Sequence, residues 1–221
     1  VAELTMACCC IGMALHGGVI AACGTFFVFS DYMKPAVRMA ALMELPVKFI
    51  WTHDAFRVGE DGPTHEPVEQ EAQIRLMEKL KNHSGKNSML VLRPADSLET
   101  TECWRMAMEN TDSPTGLIFS RQNIEQLPEG TDDAQAEKGA YIVAGSEENP
   151  DVILVASGSE VSTLAAGAKL LREDGIKVRI VSCPSEGLFR SQPAEYQNAV
   201  LPCGAKIFGL TGAKINMSLV P

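Results

Sequence analysis

The chain has 221 residues, of which 46% are hydrophobic and 21% charged, a balance typical of globular proteins and sufficient for one large domain or two modest ones. Its formal net charge is −9 and it has no run rich in lysine or arginine, which argues against a surface for nucleic acid or an anionic membrane. The apolar stretch from Met6 to Leu15 is too short to span a bilayer, so we expect neither a signal peptide nor a membrane span.

The cysteines number seven, three of them are consecutive at 8–10, and none forms a C-x-x-C pair. This pattern favours reduced cysteines over disulfides or a zinc site, and it predicts a cytoplasmic protein. The chain begins with Val1 instead of methionine. We expect both ends to have been cut from a longer sequence.

Short apolar, β-branched runs alternate with longer amphipathic segments in the first half of the chain. The predicted elements are a strand at 47–51, a helix at 69–80, a strand at 89–92, a helix at 97–108 and a strand at 116–119. The first helix would bury Ala72, Leu76 and Leu80 on one face, and Ser97 would cap the second. Strands that alternate with helices predict a parallel sheet covered by helices.

Beyond residue 122 the sequence becomes acidic, contains proline and glycine, and loses its periodicity, as is typical of a linker. A second α/β unit follows, with predicted strands at 152–155 and 178–181, a helix at 160–173 closed by Gly175, and a further strand at 207–210. We therefore predict a first domain at 1–122, a linker at 123–139 and part of a second α/β domain at 140–221.

The segment at 52–67 carries the strongest chemical signal. It follows a predicted strand and holds His53, His65, four carboxylates and two glycines, and ligands of α/β sheets bind beyond the carboxyl ends of strands. Imidazoles and carboxylates can bind the hydroxyls of a small polar molecule and transfer protons. A plain surface loop and a zinc site are the alternatives that residue types alone leave open.

Four segments of this chain together resemble one family. The sequence GEDGPTH at 59–65, preceded by Thr52, His53 and Asp54, is similar to the signature loop of transketolases. Three further segments agree in order and spacing, namely TFFVFSDY at 25–32, RPAD at 93–96 and SRQN at 120–123. The resemblance continues through ASGSE at 156–160 and covers nearly the whole chain up to residue 211. Four ordered motifs are far more specific than any one of them.

The resemblance implies an α/β fold in which a parallel β-sheet sandwiched by helices binds thiamin diphosphate, followed by part of a second α/β domain. Phe26, Phe29 and Tyr32 recur every third residue, so on a helix they share a face, and this spacing alone favours core packing. The resemblance implies instead that Phe29 stacks on the aminopyrimidine and that Phe26 and Tyr32 wall its pocket. It also implies that Glu3 binds the pyrimidine as a catalytic carboxylate.

On the substrate side, the resemblance implies that His53 and His65 are catalytic, contact the sugar and assist proton transfer. Asp61 would bind a hydroxyl and select the sugar's stereochemistry, and Arg121 would bind the substrate phosphate through its fork of donors. The implied activity is transfer of a two-carbon ketol unit from a ketose phosphate to an aldose phosphate, a reaction of the pentose phosphate pathway.

The chain contains no Gly-Asp-Gly followed by a distant asparagine, the pattern by which this class binds Mg²⁺ and the diphosphate. The resemblance therefore implies that Mg²⁺ is held by a domain absent from this chain, and that this chain is inactive alone. Its partner would be a second copy in a homodimer or a separate N-terminal transketolase subunit. The alternatives are a 1-deoxyxylulose-phosphate synthase or α-ketoacid dehydrogenase β-type subunit, and a non-catalytic or degenerate fragment, which Ala2 and Leu4 beside Glu3 would favour.

Overall fold

The computed structural model of the chain describes residues 2–54, 58–145 and 149–211. Two four-stranded sheets lie one after the other along the sequence, each covered by helices. The first part contains α1 (Glu3–His16), β1 (Ala22–Phe26), a 3₁₀ turn (Phe27–Phe29), α2 (Ser30–Leu42), β2 (Lys48–Thr52), α3 (Gln70–Lys79), β3 (Leu90–Leu92), α4 (Ser97–Glu109) and β4 (Thr115–Ile118). The second contains a 3₁₀ helix (Asp133–Lys138), β5 (Tyr141–Ala144), β6 (Val152–Ala156), α5 (Glu160–Glu173), β7 (Val178–Ser182), α6 (Glu186–Arg190), α7 (Ala194–Val200) and β8 (Ile207–Gly209).

The first sheet is fully parallel, in the order β1-β2-β4-β3, so the predicted fold class is confirmed. Its central strands are rich in buried apolar side chains because helices cover both faces. Phe49, Trp51 and Leu117 have no exposed surface. Strand β1 was not predicted because its sequence ACGTF lacks the β-branched run that marks the others.

Helix α3 contradicts the predicted burial pattern. Leu76 and Leu80 are 55% and 49% exposed. The buried face carries Glu71, Arg75 and Glu78 as well as apolar residues. The prediction was wrong because these charged groups pair with one another, and pairing allows charges to be buried.

Two smaller features at the helices differ from what local sequence favours. Asp96, and not Ser97, caps α4, because its carboxylate accepts a hydrogen bond from the Glu99 N–H. Helix α2 continues without interruption across Pro35, although a proline inside a helix favours a kink or a break. Helix α5 ends as predicted, with Gly175 at φ +79° just beyond it.

The second sheet has the order β5-β7-β6-β8. Its first strand is antiparallel to β7, and the other neighbours are parallel. The segment predicted as a linker lies against the first domain, since the Leu127 N–H donates to Asp96 and the 3₁₀ helix packs on α4. The domain boundaries at 122 and 139 remain predictions. No helix among the described residues is long and apolar enough to cross a membrane. Residues 212–221, where the resemblance ends, lie outside the described residues.

Candidate functional site

The carboxyl ends of three neighbouring strands form the candidate site. Parallel register places Phe26, the last residue of β1, opposite Thr52, the last residue of β2. The segment after β4 joins them, because the Asp54 N–H donates to the carbonyl of Phe119. The loop at 52–67 and the segment at 119–122 therefore meet at one edge of the sheet, as expected for α/β sites. Residues 55–57 of that loop lie outside the described residues.

Phe26, Phe29 and Tyr32 form a row of stacked aromatic rings, which we call the staircase. The row runs from the end of β1 through the 3₁₀ turn into α2. Phe26 ends β1, Phe29 ends the 3₁₀ turn, and Tyr32 lies in the first turn of α2. They do not occupy one helix face as predicted, but their spacing matches the three residues per turn of a 3₁₀ helix, which aligns positions i and i+3. Ring centroids lie 6.3 Å apart for Phe26–Phe29 and 6.0 Å for Phe29–Tyr32, and both pairs are stacked.

Both predicted histidines reach this staircase. The imidazole of His53 stacks on Phe26 with centroids 3.6 Å apart and an interplanar angle of 16°. The imidazole of His65 meets Phe29 edge-on, at 5.4 Å and 77°. Each Nδ1 has a threonine hydroxyl from the preceding residue, at 3.0 Å for His53 and 2.9 Å for His65. Because the hydroxyl occupies Nδ1 of each imidazole, Nε2 is the ring nitrogen that can bind a ligand.

His53 is held in an uncommon backbone conformation and a partly desolvated environment. Its φ is +59°, in the left-handed region that non-glycine residues rarely occupy and that clusters at functional sites. Partial burial lowers the pKa of the His53 imidazole, Arg121 and His65 act in the same direction, and Asp61 opposes them. A lowered pKa keeps the imidazole neutral near pH 7, so it can accept a proton.

Asp61 and Arg121 lie on the same side of the site. The guanidinium Nε of Arg121 is 3.6 Å from Asp61 Oδ2, and Nη2 is 3.7 Å from Glu60 Oε1. Gly59, at φ +86°, brings the loop backbone close to Arg121, since a Cβ there would lie 3.4 Å from Nη1. The arrangement leaves guanidinium donors available for an anion beside a carboxylate that can accept from a hydroxyl.

Several polar atoms near this edge are buried without a hydrogen-bond partner in the described structure. They include Asp61 Oδ2, the Ser120 hydroxyl, and both amide atoms of Gln122. Buried polar groups are normally bonded, and unpaired ones are costly. Their concentration on the segments that flank Arg121 indicates groups arranged for a polar ligand.

Sequence comparison identifies the family. A family model described as "Transketolase, pyrimidine binding domain" matches residues 1–126, more than half of the chain. A second model, "Transketolase-like TK C-terminal domain", matches residues 139–216. The chain belongs to the transketolase family.

Individual transketolases agree with this assignment. The Bacillus subtilis transketolase is 48% identical over 209 residues, which is 93% of this chain and 30% of that protein. A Pichia stipitis transketolase structure is 39% identical with a TM-score of 0.83, covering 94% of this chain and 29% of the other. A split-gene transketolase is 26% identical with a TM-score of 0.66, covering 84% of this chain and 55% of that one. The chain thus spans about 30% of the length of the curated transketolases it matches, and these matches do not favour the synthase or dehydrogenase alternatives.

The thiamin diphosphate of transketolases can be tested against the residues present. Phe29 is half-buried and Tyr32 is 62% exposed, so the staircase offers accessible ring surface to a flat heterocycle. The Asp61 and Gln122 atoms that accept or donate no hydrogen bond in the described part of the chain offer polar partners nearby. The aromatic half of the cofactor therefore fits. Within the described ranges, no group of three or more His, Cys, Asp or Glu side chains could hold a metal ion.

Glu3 is not joined to this cluster by any hydrogen bond or ion pair described in the structure. It lies half-buried in the first turn of α1, a helix that packs on α2 and β1. The other seven predicted residues come together. Five of them are joined by ring contacts. Asp61 and Arg121 lie 3.6 Å apart and both act on the charge of His53. The roles assigned to all eight remain predictions.

Asp54 and Arg93 belong to the motifs at 52–54 and 93–96, but their residue types alone predict no role for them. Arg93 is fully buried and pairs with Asp54 at 2.7 Å. The signal was present in the sequence, since each of these charged residues follows a buried strand within two positions. A charge in such a place requires a partner, but periodicity cannot name that partner.

Proposed function

We propose that this chain supplies the aminopyrimidine-binding and substrate-binding half of a transketolase active site. The proposal is carried by one observation, the convergence of His53 and His65 on the Phe26–Phe29 pair at the edge of a parallel sheet. Two imidazoles against an accessible aromatic surface suit proton transfer at a bound heterocycle and its sugar. Thiamin diphosphate, when bound, supplies the acidic ring carbon that takes up the two-carbon unit.

On the cofactor side, the chain's own residues bind and orient. Phe29 provides the stacking face for the aminopyrimidine, and Phe26 and Tyr32 extend that wall. Stacking of this kind contributes on the order of 1 kcal/mol beyond area burial. Glu3 holds the pyrimidine nitrogen, a role that depends on its place in the family's pattern.

On the substrate side, the neutral imidazole of His53 accepts a proton and His65 binds the sugar's oxygen atoms. Asp61 accepts a hydrogen bond from a hydroxyl of the sugar, and Arg121 binds the substrate phosphate with two N–H donors. The Pichia stipitis transketolase matched above was solved in complex with sedoheptulose 7-phosphate. We propose the same class of substrate, ketose and aldose phosphates of the pentose phosphate pathway, for the protein to which this chain belongs.

The proposed site is completed by a partner. The chain spans about 30% of its relatives, and the matched split-gene transketolase chain was solved as an inactive β4 tetramer. We therefore propose that a homodimer or a separate N-terminal transketolase subunit supplies the Mg²⁺ and diphosphate ligands. The seven cysteines are all free in the structure, which agrees with a cytoplasmic location.

A reconstitution experiment tests this proposal. The chain is titrated with thiamin diphosphate and Mg²⁺ by calorimetry, alone and with an N-terminal transketolase segment that carries Gly-Asp-Gly and the distant asparagine. Ketol transfer from xylulose 5-phosphate is measured in the same mixtures. We expect tight cofactor binding and activity only in the combined sample, and a Phe29→Ala variant that binds the cofactor more weakly. Phe208→Ala is the matched control, because Phe208 is 60% exposed on β8.

Each contrary outcome has a definite meaning. Activity of the chain alone would contradict the requirement for a partner. Turnover of pyruvate instead of xylulose 5-phosphate would favour the synthase or dehydrogenase alternative. Absence of both binding and turnover in the combined sample would reject the proposed function and leave a non-catalytic fragment.

A further inference from the structure

A single guanidinium joins the candidate site to the second domain. Arg93 follows β3 and has no exposed surface. Its Nε and Nη2 donate to Asp54 Oδ2 at 3.1 and 2.7 Å. Its Nη2 also donates to both carboxylate oxygens of Glu160, at 2.9 and 2.7 Å, and its Nη1 to the carbonyl and hydroxyl of Ser157, both at 3.1 Å. Every nitrogen of the guanidinium is therefore bonded, on one side to the site loop and on the other to the second domain.

The site end of this connection is the backbone of His53. Asp54 is 1% exposed, its carboxylate is held by Arg93, and its N–H is held by the Phe119 carbonyl. The residue immediately before it has the strained φ of +59°. Strained conformations persist only where the surroundings over-determine them. The bonds that Asp54 makes with Arg93 and with Phe119 fix the chain directly after His53.

The far end is equally fixed. Glu160 is the first residue of α5 and is fully buried. The backbone on either side of Arg93 is paired with the second domain, through Arg93 N–H to the Pro184 carbonyl and Gly158 N–H to the Arg93 carbonyl. Gly158 has φ +62°, and a Cβ there would lie 2.8 Å from the guanidinium carbon. Position 158 therefore requires glycine, because any side chain there would collide with the guanidinium of Arg93.

The cluster sets one guanidinium, that of Arg93, against the two carboxylates of Asp54 and Glu160. The carboxylates therefore compete for the same donors. Asp54 Oδ1 is buried and has no hydrogen-bond partner among the described residues, so within them Arg93 supplies the bonds that this carboxylate receives. Burial raises the pKa of Asp54 to about 6, Glu160 and Glu71 add to the rise, and Arg93 opposes it. Removal of Arg93 would leave the buried Asp54 carboxylate uncompensated, so that carboxylate must move or become protonated. Loss of the Glu160 carboxylate takes away a charge that raises the Asp54 pKa, but it also takes away the group that holds the guanidinium from the second domain.

We propose that Arg93 is a positioning residue, through which Glu160 and Ser157 of the second domain hold Asp54 and so keep the His53 imidazole stacked on Phe26. The second domain then contributes to the site without touching the substrate. The functional consequence rests on the function proposed above, whereas the positional consequence does not.

The positional consequence is tested on the 221-residue chain by NMR of its histidine rings. The chain has four histidines, so His16 and His83 serve as internal references away from the ring cluster. We compare wild type with Arg93→Met, Arg93→Lys and Glu160→Gln, after thermal melts have shown which variants fold. Glu173→Gln is the matched control, because Glu173 is exposed at the other end of α5.

We expect Arg93→Met and Glu160→Gln to shift the His53 resonances several-fold more than those of His16 and His83. Arg93→Lys should recover part of the wild-type position, since an ammonium keeps the charge but not the fork. The control should leave all four rings unchanged. If Arg93→Met does not fold, Glu160→Gln and Ser157→Ala decide the question. Wild-type His53 resonances in a folded variant that lacks the Arg93–Glu160 pair would overturn the proposal.

The functional consequence is measured in the reconstituted enzyme. There Glu160→Gln should lower kcat about tenfold with little change in KM for the ketose phosphate, because a small misplacement of a catalytic group costs rate. An inactive wild-type mixture would reject the proposed function while the NMR result stands. A shifted His53 with unchanged kcat would contradict the catalytic importance of the position.

Discussion

Two groups of opposite charge act on the imidazole of His53. Asp61 raises the pKa of its imidazole and Arg121 lowers it. We therefore expect Asp61→Asn to lower the pKa of His53 further and Arg121→Gln to raise it. NMR titration of the His53 ring measures both changes, with exposed His83 as the reference. Changes of the two variants in the same direction would contradict this arrangement of charges.

Arg121 has the donor geometry for a phosphate, and its two carboxylate neighbours among the described residues are no closer than 3.6 and 3.7 Å. We expect Arg121→Gln to raise KM for a ketose phosphate about ten- to a hundredfold in the reconstituted enzyme, the usual value of a charged hydrogen bond. Arg105→Gln is the control, because Arg105 is an exposed guanidinium paired with Glu102 on α4. An equal KM for the phosphorylated and unphosphorylated sugar in wild type would contradict the role.

At the scale of residues, the sequence predicted which side chains would converge, and their roles remain predictions. His53, His65, Asp61 and Arg121 were chosen from their motifs, and the structure brings them together. The coupling of Asp54 to Arg93 could not be predicted, because the two residues are 39 positions apart. They meet only when the segments that follow β2 and β3, two strands separated by β4, converge at one edge of the sheet. Glu3 was placed by resemblance alone, and no described bond yet ties it to the rings.

Helix α3 buries charge and exposes leucine. Glu78 is 2% exposed, accepts from the Ser185 hydroxyl and the Val91 N–H, and lies 3.4 Å from Arg75. We expect Glu78→Ala to lower the free energy of unfolding by about 3 kcal/mol, because it leaves Arg75 less compensated in a buried place. Urea unfolding followed by circular dichroism measures the change.

The matched control on the same helix is Leu76→Gln. Leu76 is 55% exposed, so we expect a change within about 0.5 kcal/mol. Sequence periodicity predicts the opposite order, with Leu76 in the core. A larger loss for Leu76→Gln than for Glu78→Ala would restore that pattern and contradict the observed face.

Elements with a strong intrinsic signal were predicted well. Strands at β2, β6 and β7, and helix α5 with its terminal glycine, appear within one or two residues of their predicted bounds. Strand β5 was not predicted, because it has only 4 residues and directly follows the acidic segment that was predicted to be a linker. Its pairing with β7 is antiparallel and is fixed by tertiary contacts that local propensity does not contain.

Across the whole molecule, the two domains are joined by buried polar groups whose ionisation depends on pH. Glu99 accepts from the Tyr141 and Ser182 hydroxyls of the second domain and from the Ala95 N–H. Burial is the main cause that raises the pKa of Glu99 from 4.5 to about 7, while these hydrogen bonds oppose the rise. The folded state therefore binds this proton more tightly than the unfolded state does.

A raised pKa gives stability that is fully present below pH 4.5 and lost as pH rises through about 7. Since a tenfold difference in proton affinity corresponds to about 1.4 kcal/mol, the contribution of Glu99 should fall by about 3 kcal/mol across this window. Glu99→Gln should remove that part of the slope in unfolding free energy against pH. Glu109→Gln, at an exposed end of the same helix, should keep it. Parallel curves for wild type and Glu99→Gln would count against an ionisable interface.

The presence of two α/β units and a parallel first sheet followed from the alternation of apolar runs. How the units face each other did not follow, because the contact is made by charged and hydroxyl groups, such as Arg93, Glu99 and Ser185, that sequence patterns assign to surfaces. Apolar periodicity predicts hydrophobic cores. It cannot predict an interface that is made of polar groups hydrogen-bonded to one another.

The close approach of Gly158 to Arg93 limits how the two domains can diverge during evolution. With φ at +62° and no room for a methyl group, position 158 can accept a side chain only if position 93 becomes smaller at the same time. Homologous proteins with alanine or serine at 158 should therefore have lost the arginine at 93, along with the need for an acidic residue at 160. These three positions should change as a set or not at all.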